Sequence, residues 1–264
     1  MECFRKVCAL LKVTNLGKEK LPCIPGELPE LDPSPILSEA QHYIYKQLVG
    51  TEKWIFQIRR FDISYALTSL NRFSATPMEG HISRMVNIFG YLKRVYGRRK
   101  GIVVSPEDIE EISGKGANFK DWLENYPGAS DDIDEGLSEP RGRPISTSVY
   151  FDSNCANDQV TCRSVSGILF FVGSTLIRWT IKRQGNIKSS SYPTEFCASQ
   201  VATEEAIALQ YMLRYLGVPV RGAKELCGDN LVMITSFTNP DSDLKQKCGD
   251  LLPQVAGKCS GRYC

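Results

Sequence analysis

Histidine is almost absent from the 264-residue chain: there are two, His42 and His81. The ten cysteines are scattered singly and form no C-x-x-C pair. A Cys/His zinc site therefore has almost no ligands to draw on. No apolar run approaches the roughly 18–20 residues that a membrane-crossing helix needs, which excludes a helical channel. The first residues, MECFRKVCALLK, hold no long apolar core and no small-residue cleavage site, so an intracellular protein with reduced thiols is expected. G-x-S-x-G is missing, and both histidines lie far along the chain from the acids discussed below. A hydrolase of the serine type is therefore not supported. What is present is an ordinary apolar share of 42%, which points to a folded chain of one large or two small domains.

Charge is nearly balanced overall, at +2, but unevenly spread. Residues 1–104 hold sixteen Lys and Arg against nine Asp and Glu, and residues 105–141 hold three against eleven. The acidic block is also rich in Gly, Pro and Ser, and reads as a solvated linker over 105–145 between two folded pieces. Ahead of the first piece, residues 1–37 carry Pro22, Pro25, Pro29, Pro33 and Pro35. Proline at that density opposes helix and central strand alike, so an extended leader is expected.

The first piece, residues 38–104, has helical periodicity. Ser38 is placed to cap a helix over Glu39–Val49. Ile63, Ala66, Leu67, Leu70 and Phe73 recur at helical spacing behind Asp62, and Pro77 opens a third helix. Ile82, Met85, Val86, Phe89, Leu92 and Tyr96 form its apolar face. The other side carries Arg84, Lys93, Arg94, Arg98, Arg99 and Lys100. Such a basic face is either solvated surface, the commoner case, or a contact surface for phosphates.

The second piece, residues 146–250, changes period. Ser148–Asp152 reads as a strand ending near an aspartate. Residues 167–172 and 175–181, joined by Gly173-Ser174, read as a hairpin. Residues 189–217, SSSYPTEFCASQVATEEAIALQYMLRYLG, read as a long helix with Ser191 placed to cap it, Pro193 in the first turn and Gly217 as stop. Glu195, Ala198, Ala202, Leu209, Met212 and Leu216 share its expected inner face. A fourth strand is expected over Lys224–Cys227, and a short helix over Leu231–Phe237. The tail, 251–264, is expected to be irregular.

Three acids fall at element ends in this order: Asp152 on the first strand, Glu195 at the start of the long helix, and Asp229 after the fourth strand. If the first and fourth strands are parallel neighbours, the three converge. Converging carboxylates repel unless a cation sits among them, and hard oxygen ligands suit Mg²⁺ or Mn²⁺. Two such ions can hold the attacking and leaving oxygens of a phosphodiester. Taken singly, each acid has a plainer reading: a turn residue, a partner for the helix dipole, or a helix cap.

The motifs resemble a known family. RFDISYALTSLNRFSATPMEGH with IFGYLKR is similar to R-P-D-I-x-Y-A…L-S-R-F…P…H…Y-L-K. SSSYPTEFCASQVATEEAIAL is similar to S-S-T-E-A-E-Y-x-A, and CGDN to C-D-N with a glycine inserted. With FDSNCANDQVTCRSVSGILFFVGSTLIRWTIKRQ, these resemble the C-terminal part of a copia-type retrotransposon Pol polyprotein, the end of reverse transcriptase followed by ribonuclease H. The resemblance spans roughly residues 20–250. It implies an α/β fold with a ribonuclease H-like mixed sheet flanked by helices, behind a small helical segment. It also implies Mg²⁺-dependent cleavage of the RNA strand of an RNA–DNA hybrid. Asp152, Glu195 and Asp229 match the family's acids, and Asp250 matches a fourth, although Lys247-Cys248-Gly249-Asp250 replaces K-H-I-D. Ser189, Ser190 and Ser191 are expected to hold a phosphate, and Arg163, Lys182 and Arg183 to track the hybrid backbone. No Y-x-D-D palm motif is present, so a reverse transcriptase palm would come from elsewhere. The family's last helix is replaced by LLPQVAGKCSGRYC. The alternative expectation is an inactive remnant that keeps the fold and at most binds nucleic acid.

Overall fold

The computed structural model describes residues 2–11, 16–57, 60–95, 136, 139–220, 225–230 and 232–233. The acidic linker before residue 136, the basic run Arg98–Lys100, Asp250 and the tail lie outside the described residues. The chain divides into a helical unit, Met1–Ile102 with Asp158–Thr161, and a sheet unit, Val103–Asn157 with Cys162–Cys264.

In the helical unit, α1 spans Glu2–Leu11, α2 Glu39–Gln57, α3 Ser64–Asn71 and α4 Glu79–Val95, with single 3₁₀ turns at Pro29–Leu31 and Phe61–Ile63. The helix at Glu2–Leu11 corrects the expected extended leader. The prolines begin only at Pro22, so nothing in the first eleven residues opposes a helix. Residues 1–37 are also part of this unit rather than a separate arm: Val7, Leu16 and Leu37 are buried in its core with Tyr45, Ile63 and Phe89. Helix α2 starts as expected. Ser38 N–H and Oγ both donate to Gln41 Oε1 (3.0 and 2.7 Å), and Gln41 N–H reaches back to Ser38 Oγ at 3.5 Å, a capping box. The helix runs two turns beyond the expected Val49, because Gly50 is tolerated in its middle.

Asp62 serves packing more than helix initiation. It pairs with Arg60 at 2.6 Å and accepts from Tyr91 Oη at 2.6 Å. The basic side of α4 is largely consumed within the unit: Arg84 pairs with Glu27 at 3.0 Å and with Asp32, and Lys93 Nζ donates to Leu16 O at 2.9 Å. His81 is buried; Met78 N–H donates to its Nδ1 (3.0 Å), so Nε2 carries the hydrogen toward Pro29 O at 2.9 Å. This is a satisfied core histidine, and burial lowers its pKa.

The sheet unit holds β1 (Thr147–Asn154), β2 (Val165–Val172), β3 (Thr175–Arg183), α5 (Ser191–Tyr215) and β4 (Glu225–Cys227). Strand order is β3-β2-β1-β4. The β2–β3 hairpin turns at Gly173, whose φ of +54° suits glycine. Strands β1 and β2 are antiparallel, while β1 and β4 are parallel neighbours with Val149 opposite Leu226, the condition on which convergence of the acids depends. The result is a mixed four-stranded sheet with α5 packed on one face. Val149, Phe151, Ile168, Phe170 and Leu226 meet Ala198, Ala202, Ala206, Leu209 and Leu213 of the helix. The alanines are fully or nearly fully buried, so the helix lies close to the strands.

The inner face of α5 differs from expectation at its far end. Met212 is 53% and Leu216 66% exposed, whereas Ala206 and Leu213 are buried. Counting about 3.6 residues per turn from Glu195, Ala206 and Leu213 stay on the face and Met212 falls to its side; Leu216 already stands past the helix end. That end is a Schellman motif. Gly217 has φ +71°, its N–H donates to Arg214 O (2.8 Å), and Val218 N–H donates to Leu213 O (2.9 Å). At the start, Ser190 rather than Ser191 holds the cap position, without a side-chain cap bond. Val232 and Met233 are helical; the remainder of the expected Leu231–Phe237 helix lies outside the described residues.

Candidate metal centre

Three carboxylates converge in the sheet unit. One oxygen each from Asp152, Glu195 and Asp229 lies within 4.8 Å of the others. Each arrives on a different element for a local reason. Asp152 stands late in β1, opposite Gly167, where no side chain from β2 crowds it. Glu195 sits one turn into α5, whose alanine stripe sets the helix against the strands. Asp229 follows β4, which pairs in parallel with β1, so that the two chains leave the sheet in the same direction.

Gly228 holds that last approach open. A Cβ there would come within 2.7 Å of Phe151 Cζ and 3.2 Å of Met233 Cε. The glycine that departs from the C-D-N pattern is thus required by packing next to Asp229. Asn230, not Asp229, caps the helix beyond: its Oδ1 accepts from Met233 N–H at 3.0 Å. The capping explanation for Asp229 is thereby removed.

Glu195 is 4% exposed, whereas Asp152 and Asp229 face solvent. Burial, and next the charges of Asp152 and Asp229, push the Glu195 carboxyl from its ordinary 4.5 up to about 7; the Ser153 hydrogen bond opposes the rise. Ser153 N–H donates to Glu195 Oε1 at 3.3 Å. Glu195 Oε2 is buried without a hydrogen-bond partner among the described residues. A buried carboxyl gathered with two exposed carboxylates is a donor set that a hard divalent cation satisfies. The three residues could therefore hold a metal ion.

A polar network fixes the first turn of α5. Gln184 Nε2 donates to Ser166 Oγ (2.8 Å) and to Thr194 O (2.9 Å), and Thr194 Oγ1 donates to Ser190 O at 2.8 Å. Gln184 stands just after β3, and its own N–H donates to Ser164 O at 2.8 Å. These bonds tie the segment carrying Glu195 to β2 and to the end of β3. Gln184 and Thr194 were not marked as candidates from the sequence. A glutamine at a strand end, directly after two basic residues, was the available sign.

The expected substrate contacts are placed as follows. Ser189, Ser190 and Ser191 are exposed at the start of α5. Arg163 lies just before β2 and is half-buried. Lys182, exposed, stands in one register row with Ser166 and Ser153, and Arg183, half-buried, in the row of Val165 and Asn154. Both rows lie within two positions of Asp152, about 10 Å across two strand spacings. Asp250 lies outside the described residues.

No protein-family model matches the chain. Over 196 residues, 74% of the chain, it is 21% identical to a retrovirus-related Pol polyprotein from transposon RE1 of Arabidopsis thaliana, of which it spans only 11%. Over 170 residues, 64% of the chain, it is 23% identical to secreted RxLR effector protein 161 of Plasmopara viticola, covering 94% of that protein. The first similarity supports a retrotransposon relation. Among the described residues, no helix is long and apolar enough to cross a membrane.

Proposed function

We propose that this chain is a copia-type, retrotransposon-derived ribonuclease H that hydrolyses the RNA strand of RNA–DNA hybrids with Mg²⁺ or Mn²⁺. The observation that carries the reading is the convergence of Asp152, Glu195 and Asp229 within 4.8 Å at the ends of three elements. The similarity to a Pol polyprotein and the element order of the sheet unit support it.

Asp152, Glu195 and Asp229 would hold the metal; when bound, it supplies an activated water and charge stabilisation at the scissile phosphate. The chain's own residues do the rest. Ser153 N–H and the Gln184–Thr194 network hold Glu195 and the first turn of α5 in place. The exposed serines 189–191 and free N–H groups at that helix start receive a backbone phosphate. Lys182, Arg183 and Arg163 follow the backbone, so that recognition rests on hybrid shape and the 2′-hydroxyl. Asp250 is a further acid for the site by resemblance. The chain spans 11% of the Pol polyprotein it is similar to; a reverse transcriptase palm is the protein partner proposed for it, inside the cell.

The test is the full chain with Mg²⁺ and a labelled hybrid, beside Asp152→Asn. Cleavage by the wild type and at least a hundredfold less by the variant is expected, on the order of 3 kcal/mol of lost charge stabilisation. Equal activity in both removes the assignment. The second reading, an inactive remnant, is favoured by the altered K-C-G-D segment. Calorimetric titration separates the two: no Mg²⁺ uptake at millimolar metal identifies the remnant.

A further inference from the structure

Helix α2 presents a second surface, independent of the metal centre. Tyr43 is 65% and Trp54 60% exposed, and Lys46, Gly50 and Lys53 between them are exposed as well. At about 100° per residue these five positions fall within one stripe roughly 100° wide. The only acid between Tyr43 and Gln57 is Glu52, which is fully buried on the opposite side of the helix. The stripe is therefore aromatic and positive along its length.

A groove of about 930 Å³ runs beside it, lined by Lys6, Val7 and Leu10 of α1 and by Gln47, Thr51 and Trp54 of α2. Gln47 Oε1 is buried there without a hydrogen-bond partner among the described residues. Two large aromatic faces left in water cost free energy that folding would ordinarily recover by burying them. An acceptor without a partner adds to that cost. The exposed aromatic faces are relieved by a ligand with flat apolar rings, and the lysines by its negative charge.

We infer that the Tyr43–Trp54 stripe and the α1–α2 groove bind single-stranded nucleic acid. An unpaired base stacks on Trp54, and phosphates lie on Lys46 and Lys53. Base–aromatic stacking combined with a basic track is how unpaired strands are held without sequence reading. Tyr43 and Trp54 are about 16 Å apart along the helix, the reach of a short run of nucleotides. A duplex keeps its base faces stacked internally and gains nothing from the aromatics. An acidic peptide offers charge but no stack of rings. The basic side of α4 is a weaker candidate, since Arg84 and Lys93 are engaged within the unit.

The experiment uses the full chain in EDTA, so that the metal centre plays no part, with labelled oligothymidine and oligouridine read by fluorescence anisotropy. Both single strands are expected to bind more tightly than a blunt duplex, their ratio showing which sugar is preferred. Trp54→Ala is expected to weaken binding about tenfold, and Trp54→Phe to retain it. Lys46→Gln with Lys53→Gln is expected to flatten the dependence of log affinity on log salt by about 1.4, the share of two phosphates. Because both lysines are exposed, this pair keeps the test valid if Trp54→Ala fails to fold. Absent binding, equal binding of duplex and single strand, or a salt slope unmoved by the lysine pair overturns the inference.

Discussion

Two glutamates are buried in this chain with oxygens that find no hydrogen-bond partner among the described residues: Glu52 in the helical unit and Glu195 in the sheet unit. Burial raises the pKa of both. For Glu52, burial is the whole cause. For Glu195, Asp152 and Asp229 add their charge, and Ser153 supplies a hydrogen bond in the other direction. A lone buried carboxyl escapes its cost by staying protonated. A carboxyl facing two exposed carboxylates has another escape, a shared cation, and that option requires contributions from three elements. Perturbation alone does not mark a candidate site; convergence of groups from several elements does.

The largest effect expected from this contrast is on hydrolysis. Glu195→Gln should reduce Mg²⁺-dependent hybrid cleavage by at least about a hundredfold, while Glu52→Gln leaves it intact. Equal losses would break the contrast. Next is the pH dependence of stability without metal. Between its ordinary 4.5 and about 7, folded Glu195 holds a proton that the unfolded chain has released, so folding weakens as pH rises through that window. The full drop is on the order of 3 kcal/mol, from about 1.36 kcal/mol per unit. Urea unfolding of Glu195→Gln should lack this drop, and Mg²⁺ at neutral pH should offset it in the wild type only. Parallel profiles for the two proteins would remove the raised carboxyl.

A smaller loss is expected at Gly228. Alanine there drives a methyl into Phe151 and should destabilise by about 1–3 kcal/mol. Calorimetric Mg²⁺ affinity should fall with it, because Asp229 is the next residue. Unchanged affinity would separate the glycine from the site. The smallest effect sharpens the other side of the contrast. Glu52→Met should stabilise the chain at pH 8 by about 1–2 kcal/mol, since an unpartnered buried carboxyl is replaced by a side chain of similar size. Glu52, like Glu195, has a raised pKa, so this gain should shrink toward acidic pH. A destabilised Glu52→Met would show that the carboxyl is held by a partner.

Much of the sheet unit was legible before the fold was known. The β2–β3 hairpin announces itself through Gly173-Ser174 between apolar runs, and α5 through Pro193, its alanine spacing and Gly217. These are local signals, each complete within a few residues. The errors follow the same logic. Density of proline over 1–37 hides the proline-free stretch at Glu2–Leu11, and Met212, expected on the inner face, is carried off it by the helical period. The basic side of α4 was legible as charge, but its pairing with Asp32 and Glu27 spans more than fifty residues and leaves no local mark.

By itself, the sequence determined which segments are helix and which are strand in the sheet unit, and that three acids stand at element ends. Backbone preference and side-chain period act between neighbours, so a linear reading reaches them. Only the tertiary structure decided that β4 lies beside β1, that Gly228 leaves room for the approach, and that Glu195 is buried against two exposed aspartates. It alone decided that Tyr43 and Trp54 stay in solvent while Glu52 does not. Those outcomes depend on strand register and on contacts between residues far apart in the chain, where distance is set by packing rather than by spacing.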